Sequence, residues 1–163
     1  MKRGKPLTPI ETDFIEIFMA MAEVVGVPRS VGEIYGLVYA SAKPVSFQEI
    51  VDRLDLSKGS VSQGIRMLRT LGAVRVAYVR NDRRNHFMPE TELRNLIGGL
   101  LKDRVHPQLE QGRQRLEKLR QKLKGAEGHS AEDLEMLQAR VQKLEAWQNK
   151  SAVLLRLLDG VLA

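Results

Sequence analysis

Leu56-Ser57-Lys58-Gly59-Ser60-Val61-Ser62-Gln63-Gly64-Ile65-Arg66-Met67-Leu68-Arg69-Thr70-Leu71-Gly72 is the stretch on which the fold of this chain turns. Ser57 stands where a side-chain oxygen can accept from the free N–H groups of a first helical turn, which makes it the expected N-cap. Val61, Ile65 and Leu68 then recur at helical spacing as one buried stripe, and Leu71-Gly72 closes the helix. Gly59, Ser62, Gln63, Arg66 and Thr70 point largely away from that stripe. The exposed face is small and polar near its start, with cations at Lys58 and Arg66. Two glycines in an exposed helix cost roughly 1 kcal/mol each relative to alanine, so Gly59 and Gly64 call for close packing or close approach of a ligand.

Working outward, the period changes after Gly72. Val74, Val76 and Tyr78 alternate with Arg75 and Ala77, the rhythm of a strand. Arg80-Asn81-Asp82-Arg83-Arg84-Asn85 reads as a polar hairpin tip and His86-Phe87-Met88 as the returning strand. Pro89 cannot easily continue a ladder, and Thr91 is placed to cap a further helix. Upstream, Thr8-Pro9-Ile10-Glu11 has capping-box spacing with proline at the first helical position. Behind it Ile10, Phe14, Ile17, Met21 and Val24 recur at helical spacing until Gly26, just before Pro28. Ser30-Val31-Gly32-Glu33 repeats the box and opens a second helix carrying Ile34, Leu37 and Val38. Lys43-Pro44 breaks that helix, leaving Val45 as a short strand residue. Ser46-Phe47-Gln48-Glu49 is a third box, opening a short helix with Ile50, Val51 and Leu54 inward.

Residues 30 to 90 therefore run helix, short helix, turn, helix, strand, tip, strand. That order is a winged helix-turn-helix, whose second turn helix enters the major groove of duplex DNA. Further on, 91 to 124 reads as one long helix or two segments, with Pro107 the site of a kink or break and Gly98-Gly99 weakening the interior. Leu109, Leu116, Leu119 and Leu123 continue an apolar stripe. Gly125-Ala126-Glu127-Gly128-His129 is a loop, and Ser130 with Asp133 restarts a helix. Leu134, Leu137, Val141, Leu144, Trp147, Leu154, Leu158 and Val161 follow, which makes an antiparallel helical hairpin. The expected fold class is mostly α with a small β-hairpin wing: a winged helix-turn-helix domain plus a C-terminal antiparallel helical hairpin. The division is an N-terminal helix over 1–26 at a dimer interface, the winged domain over 27–90 and a dimerisation region over 91–163.

Charge sharpens this. Between Ser57 and Phe87, Lys58, Arg66, Arg69, Arg75, Arg80, Arg83 and Arg84 face only Asp82, which accounts for the whole chain's net +6. A basic segment beside balanced surroundings is the footprint of phosphate contact. Gln63 and Arg66 are the candidates for reading base edges. Lys58, Ser60 and Arg69 suit phosphates and set register. Ser57, Gly59 and Ser62 complete the DNA-facing set on helix 57–71. In the wing, residues 80–86, a tip with Arg80, Arg83 and Arg84 suits the negative potential of a minor groove. Asp82 pairs with a wing arginine or caps the turn, and Arg83 or Arg84 enters the groove or meets its phosphates.

These residues carry a resemblance. Residues 24 to 90 resemble the MarR-type winged-helix regulators, and more narrowly their GbsR-like branch. The resembling stretches are Gly26-Val27-Pro28-Arg29-Ser30-Val31-Gly32-Glu33-Ile34-Tyr35-Gly36-Leu37 and Leu56-Ser57-Lys58-Gly59-Ser60-Val61-Ser62. Asp82-Arg83-Arg84 is similar to the Asp-x-Arg wing motif of the broader family. The resemblance implies homodimers on inverted-repeat operators, usually acting as repressors. Some members of the branch respond to choline or related osmolytes, so a small-molecule effector is a further expectation. A quaternary ammonium site needs an aromatic cage. Phe14, Phe18, Tyr35, Tyr39 and Trp147 are the rings available for one, and the same rings suit a core or an interface.

Dimerisation also follows from geometry, because two half-sites need two recognition helices about 34 Å apart. The C-terminal apolar stripes exceed what two helices need from each other. A rival reading keeps the fold as a protein-interaction or assembly module with the hairpin as its arm, and the basic wing argues against it. Other classes find little support. His86, His106 and His129 have no ligand spacing, and no phosphate loop or nucleophile motif appears, so neither enzyme, metal nor cofactor is expected. No run approaches the roughly 18 apolar residues of a membrane span. Met1-Lys2-Arg3-Gly4-Lys5-Pro6 is basic without an apolar core behind it, unlike a signal peptide. The chain has 163 residues and no cysteine, in keeping with a reducing cytoplasm.

Overall fold

A computed structural model describes residues 4–163; Met1, Lys2 and Arg3, which begin the basic N-terminal segment, lie outside the described residues. The chain forms two compact units, one ending at Gly99 and the other running Leu100–Ala163. In the first, the helices are α1 (Pro9–Val24), α2 (Arg29–Ala40), α3 (Phe47–Leu54) and α4 (Lys58–Thr70), with α5 (Leu93–Leu100) reaching its end. The strands β1 (Val45–Ser46), β2 (Val74–Val79) and β3 (Asp82–Pro89) make one antiparallel sheet in the order β1-β3-β2. The two-residue β1 thus lies beside the returning wing strand, with Val45 opposite Phe87.

Local chemistry explains most boundaries. At α1, the Thr8 hydroxyl accepts from Glu11 N–H at 3.2 Å and the Glu11 carboxylate accepts from Thr8 N–H at 2.8 Å, so both halves of the expected box form. The box expected at Ser30 does not form. Helix α2 starts two residues earlier, at Arg29, with Pro28 in the cap position and no side-chain cap. Ser30 is thereby inside the first turn, and Glu33 turns to Arg29 at 3.6 Å instead. Thr91 does not cap α5 either. The Glu90 carboxylate accepts from Glu92 N–H at 2.8 Å and from the Asn95 side chain at 3.0 Å.

Helices α1 and α2 approach closely because α2 presents glycine there. A Cβ at Gly32 would lie 2.5 Å from the Phe18 carbonyl oxygen, and one at Gly36 would lie 2.6 Å from the Ile15 Cα. Above this contact Phe14, Phe18, Tyr35 and Tyr39 stack into a cluster with centroids 4.7 to 5.7 Å apart. These rings cover one another as core rings do, while Trp147, the fifth ring named for a cage, belongs to the second unit and is exposed. The core continues through Ile34, Leu37, Val38, Val45, Ile50 and Val61, all fully buried. The Tyr35 hydroxyl donates to the Glu90 carbonyl at 2.5 Å, tying α2 to the end of β3. Burial pushes that phenol above its ordinary range, so it stays a donor.

In the second unit a π-helical turn, Leu101–Val105, leads into α6 (His106–Leu123), and α7 (Ala131–Leu162) returns. The turn replaces the break expected at Pro107. Proline offers no N–H one turn on, and His106 N–H reaches back five residues to the Leu101 carbonyl. Ser130 caps α7 by accepting from Asp133 N–H at 3.1 Å. Leu123 and Val141 are the buried contact between the two helices. Among the described residues no helix is long and apolar enough to cross a membrane.

Candidate nucleic-acid interface

Ser57 caps α4 as its position implies: extended backbone, with its hydroxyl accepting from Ser60 N–H at 3.0 Å. The Ser57 and Ser60 hydroxyls also meet at 2.9 Å. The turn before them rests on Asp55, which holds a left-handed conformation (φ 51°) that aspartate tolerates better than most residues. Behind α4, Val61, Ile65 and Leu68 are buried. Gly64 is buried with them rather than exposed: an added Cβ would collide with the Ile34 side chain. Its role is packing, and it makes no claim on a ligand. Gly59 differs, being exposed with only Ser57 Oγ nearby at 3.8 Å. Lys58, Ser62, Gln63, Arg66 and Arg69 are exposed with it, and Ser60 is half-buried. No acid stands in the first turn of α4.

The wing is shorter at its tip than the sequence implies. Only Arg80 and Asn81 lie between the strands, with Asn81 left-handed (φ 64°) as a tight hairpin turn requires. Asp82, Arg83 and Arg84 are already strand. The register is regular from Val74–Pro89 to Ala77–His86 and then shifts, so that Val79 meets Asp82. At the shift Asp82 accepts from Arg84 three ways: backbone N–H at 3.0 Å, Nε at 2.9 Å and Nη2 at 2.5 Å. These bonds hold the Asp82 carboxyl well below its usual range and raise Arg84, so the pair stays ionised. His86 is buried beneath, with Nδ1 2.9 Å from the Arg84 carbonyl and Nε2 3.4 Å from Asp82. Asp82 therefore shapes the wing by engaging Arg84. Arg80 and Arg83 are exposed, and no ion pair involving either occurs among the described residues.

A cleft of about 600 Å³ separates α4 from the sheet. Ser62, Arg66 and Arg69 form one wall, Val76, Asn85 and Phe87 the other, and Phe47 of α3 lies between them. No carboxylate lines it. Sequence reading missed the anchor behind this frame. Arg53 of α3 is buried and reaches the Glu11 carboxylate at 2.6 Å, the Lys5 carbonyl at 3.0 Å and Glu49 at 3.7 Å. Burial opposes ionisation of Glu11, yet the hydrogen bonds from Arg53 and Thr8 and the charge of Arg53 outweigh it and lower its pKa. An arginine on a short polar helix carries no signal of a partner 42 residues away. Among the described residues no three His, Asp or Glu side chains gather as a metal site would need.

No family profile matches the chain. Over 70 residues it is 31% identical to the HTH-type transcriptional repressor GbsR of Bacillus subtilis, across 43% of this chain and 38% of the repressor. The chain thus matches well under half the length of that relative, and the GbsR-like resemblance stands as a partial homology. A solved structure described as a transcriptional regulator has the same fold at a TM-score of 0.54, with 20% identity over 88% of this chain and 95% of that one. An S. aureus MepR mutant bound to an oligodeoxyribonucleotide aligns at 0.42, with 17% identity over 84% and 91% of the two chains.

Proposed function

We propose that this protein is a sequence-specific, double-stranded DNA-binding transcription regulator, acting as a repressor and as a homodimer. The observation that carries the reading is the acid-free cationic surface formed by the exposed side of α4, its adjoining cleft and the unpaired wing arginines. In this reading α4 enters the major groove, where Gln63 and Arg66 read base edges. Ser57, Lys58, Gly59, Ser60, Ser62 and Arg69 lie along the backbone, and Gly59 lets the helix start come close to a phosphate. Arg80 and Arg83 take the wing to the minor groove. The partial homology to GbsR, a transcriptional repressor, supports the regulatory half of the reading. In this reading the protein works on the chromosome in the cytoplasm.

The dimer draws on α7. From Leu134 to Val141 its apolar series faces α6, but from Leu144 onward it turns outward, leaving Leu144, Trp147, Leu154, Leu158 and Val161 all exposed. In that half Gln148 bonds the Leu109 carbonyl at 2.8 Å and Asp159 meets His106 at 3.0 Å, with Ala152 and Leu155 beside them on the α6 side. Polar and apolar groups together close the hairpin there, and the outward apolar stripe suits a second copy.

The test is the salt dependence of binding to duplex DNA. Several phosphate contacts per subunit give a steep negative slope of log affinity against log salt, and Arg66→Glu with Arg83→Glu abolishes binding without unfolding the chain. A flat slope, or a charge-reversed protein that binds as before, refutes the reading.

A further inference from the structure

The cleft beside α4 gathers its cations on one side. Its helical wall carries Arg66 and Arg69 with the Ser62 and Thr70 hydroxyls and Ile65, whereas its sheet wall carries Val76 and Phe87 with Asn85 beside them. A nucleic-acid strand has the same two sides, phosphate oxygens on one and the less polar sugar edge on the other. Strand β2 extends the sheet wall beyond the cleft. Alternation puts Tyr78 on the face of Val76, one pleat nearer the wing tip. The register shift does not disturb this, because between the Ala77–His86 and Val79–Asp82 pairs the surplus residues belong to β3.

Tyr78 is 90% exposed, and among the described residues its ring meets no other ring. The fold makes no use of it. Strand β2 is also an edge strand, where a bare aromatic ring invites pairing with another chain and a polar or charged side chain is the safer choice. Arg80 follows two residues on and Arg83 stands beyond the turn, both exposed and outside any ion pair among the described residues. An exposed aromatic ring one pleat beyond a cleft whose helical wall is cationic suits a sugar–phosphate backbone, with cations toward the phosphates and the ring toward the C–H face of the sugar.

We propose that Tyr78 is a DNA-contacting residue: the cleft seats the backbone of one strand, with phosphates toward Arg69 and the Ser62 hydroxyl. The Tyr78 ring lies against the deoxyribose edge where that strand leaves for the wing tip. The contact rests on the duplex-DNA reading above and adds to it a sequence-independent apolar grip that salt does not screen.

The experiment uses the full chain and a fluorescein-labelled duplex of mixed sequence, about 30 base pairs long, enough for two half-sites one turn apart. Anisotropy titrations run from about 50 to 200 mM salt. Tyr78→Thr, which keeps strand propensity, is expected to weaken binding about tenfold at every salt while leaving the slope and melting temperature unchanged. Tyr78→Phe keeps the ring and stays within about twofold of the parent, whereas Arg69→Gln lowers the slope by about one per subunit. Parental affinity in Tyr78→Thr alongside a reduced slope in Arg69→Gln overturns this inference and leaves the DNA reading standing. A Tyr78→Phe protein as weak as Tyr78→Thr also overturns it, since the hydroxyl and not the ring then makes the contact. Absence of any salt-dependent binding by the parent overturns both.

Discussion

Arg83 and Arg84 are adjacent in sequence and alike in charge, yet folding leaves them different amounts of charge to offer a ligand. Arg84 spends its guanidinium on Asp82, whereas Arg83 is exposed and outside any ion pair among the described residues. Arg83→Gln should lower the salt slope of duplex binding by about one per subunit. Removing both members of the pair, in Asp82→Asn with Arg84→Gln, should leave the slope at the parental value. A double variant that loses as much slope as Arg83→Gln would show that Arg84 reaches phosphate after all. Part of this was legible beforehand, because a carboxylate two residues from an arginine on a hairpin is a local pattern. Gly64 was not. Its glycine is required by Ile34, and nothing near Gly64 in sequence announces that neighbour.

Elements were legible where their ends are set by residues three apart. Ser46, Ser57 and Ser130 cap their helices because cap and acceptor lie within one turn. Ser30 satisfies the same rule and still does not cap: α2 begins two residues earlier, with Pro28 in the cap position and no side-chain cap. The wing tip was overdrawn because polar strand residues on an exposed edge look like loop. What fastens α1 to α3 was invisible, and it has a measurable signature. Glu11 is held below its usual value of 4.5 by Arg53 and Thr8, against the pull of burial. A carboxylate lowered in the folded state contributes stability that is complete above its unfolded pKa and is lost as pH falls through the folded one. Melting temperature should therefore drop more steeply below about pH 4.5 in the parent than in Arg53→Met, where the shift is gone. At neutral pH Arg53→Met should cost about 2 kcal/mol, less than for a fully buried pair, and lower the melting temperature by about 5 °C. Parallel acid limbs in the two proteins would deny the clamp any role in stability.

At the scale of the whole molecule, the helical hairpin was read as one apolar series along α7, and the series is two. A strict heptad drifts around a straight α-helix, and here Leu144 onward lies roughly a third of a turn away from the stripe that meets α6. Spacings of three and four read pair by pair do not reveal this, although a projection of the whole helix separates Trp147, Leu154, Leu158 and Val161 from Leu134, Leu137 and Val141. Trp147 at 70% and Val161 at 82% exposure are costly for one chain alone and natural for a seam between two. Trp147 is the only tryptophan of the sequence, so it reports on the proposed seam without labelling. The parent should sediment as a dimer, and its emission should move to the red on dilution as the indole meets water. Leu154→Glu with Leu158→Glu should sediment as a monomer, keep its helical circular dichroism and show the red-shifted emission at every concentration. Each charge would otherwise lie within an apolar seam, at several kcal/mol when unpaired. A dimer persisting in that variant would place the seam elsewhere, and the exposed side of α1, with Ile10, Ile17, Met21 and Val24, would be the next surface to charge. If the seam holds, monomerisation should weaken binding to a duplex with two half-sites far more than to one with a single half-site, because only the dimer gains from linking two recognition helices.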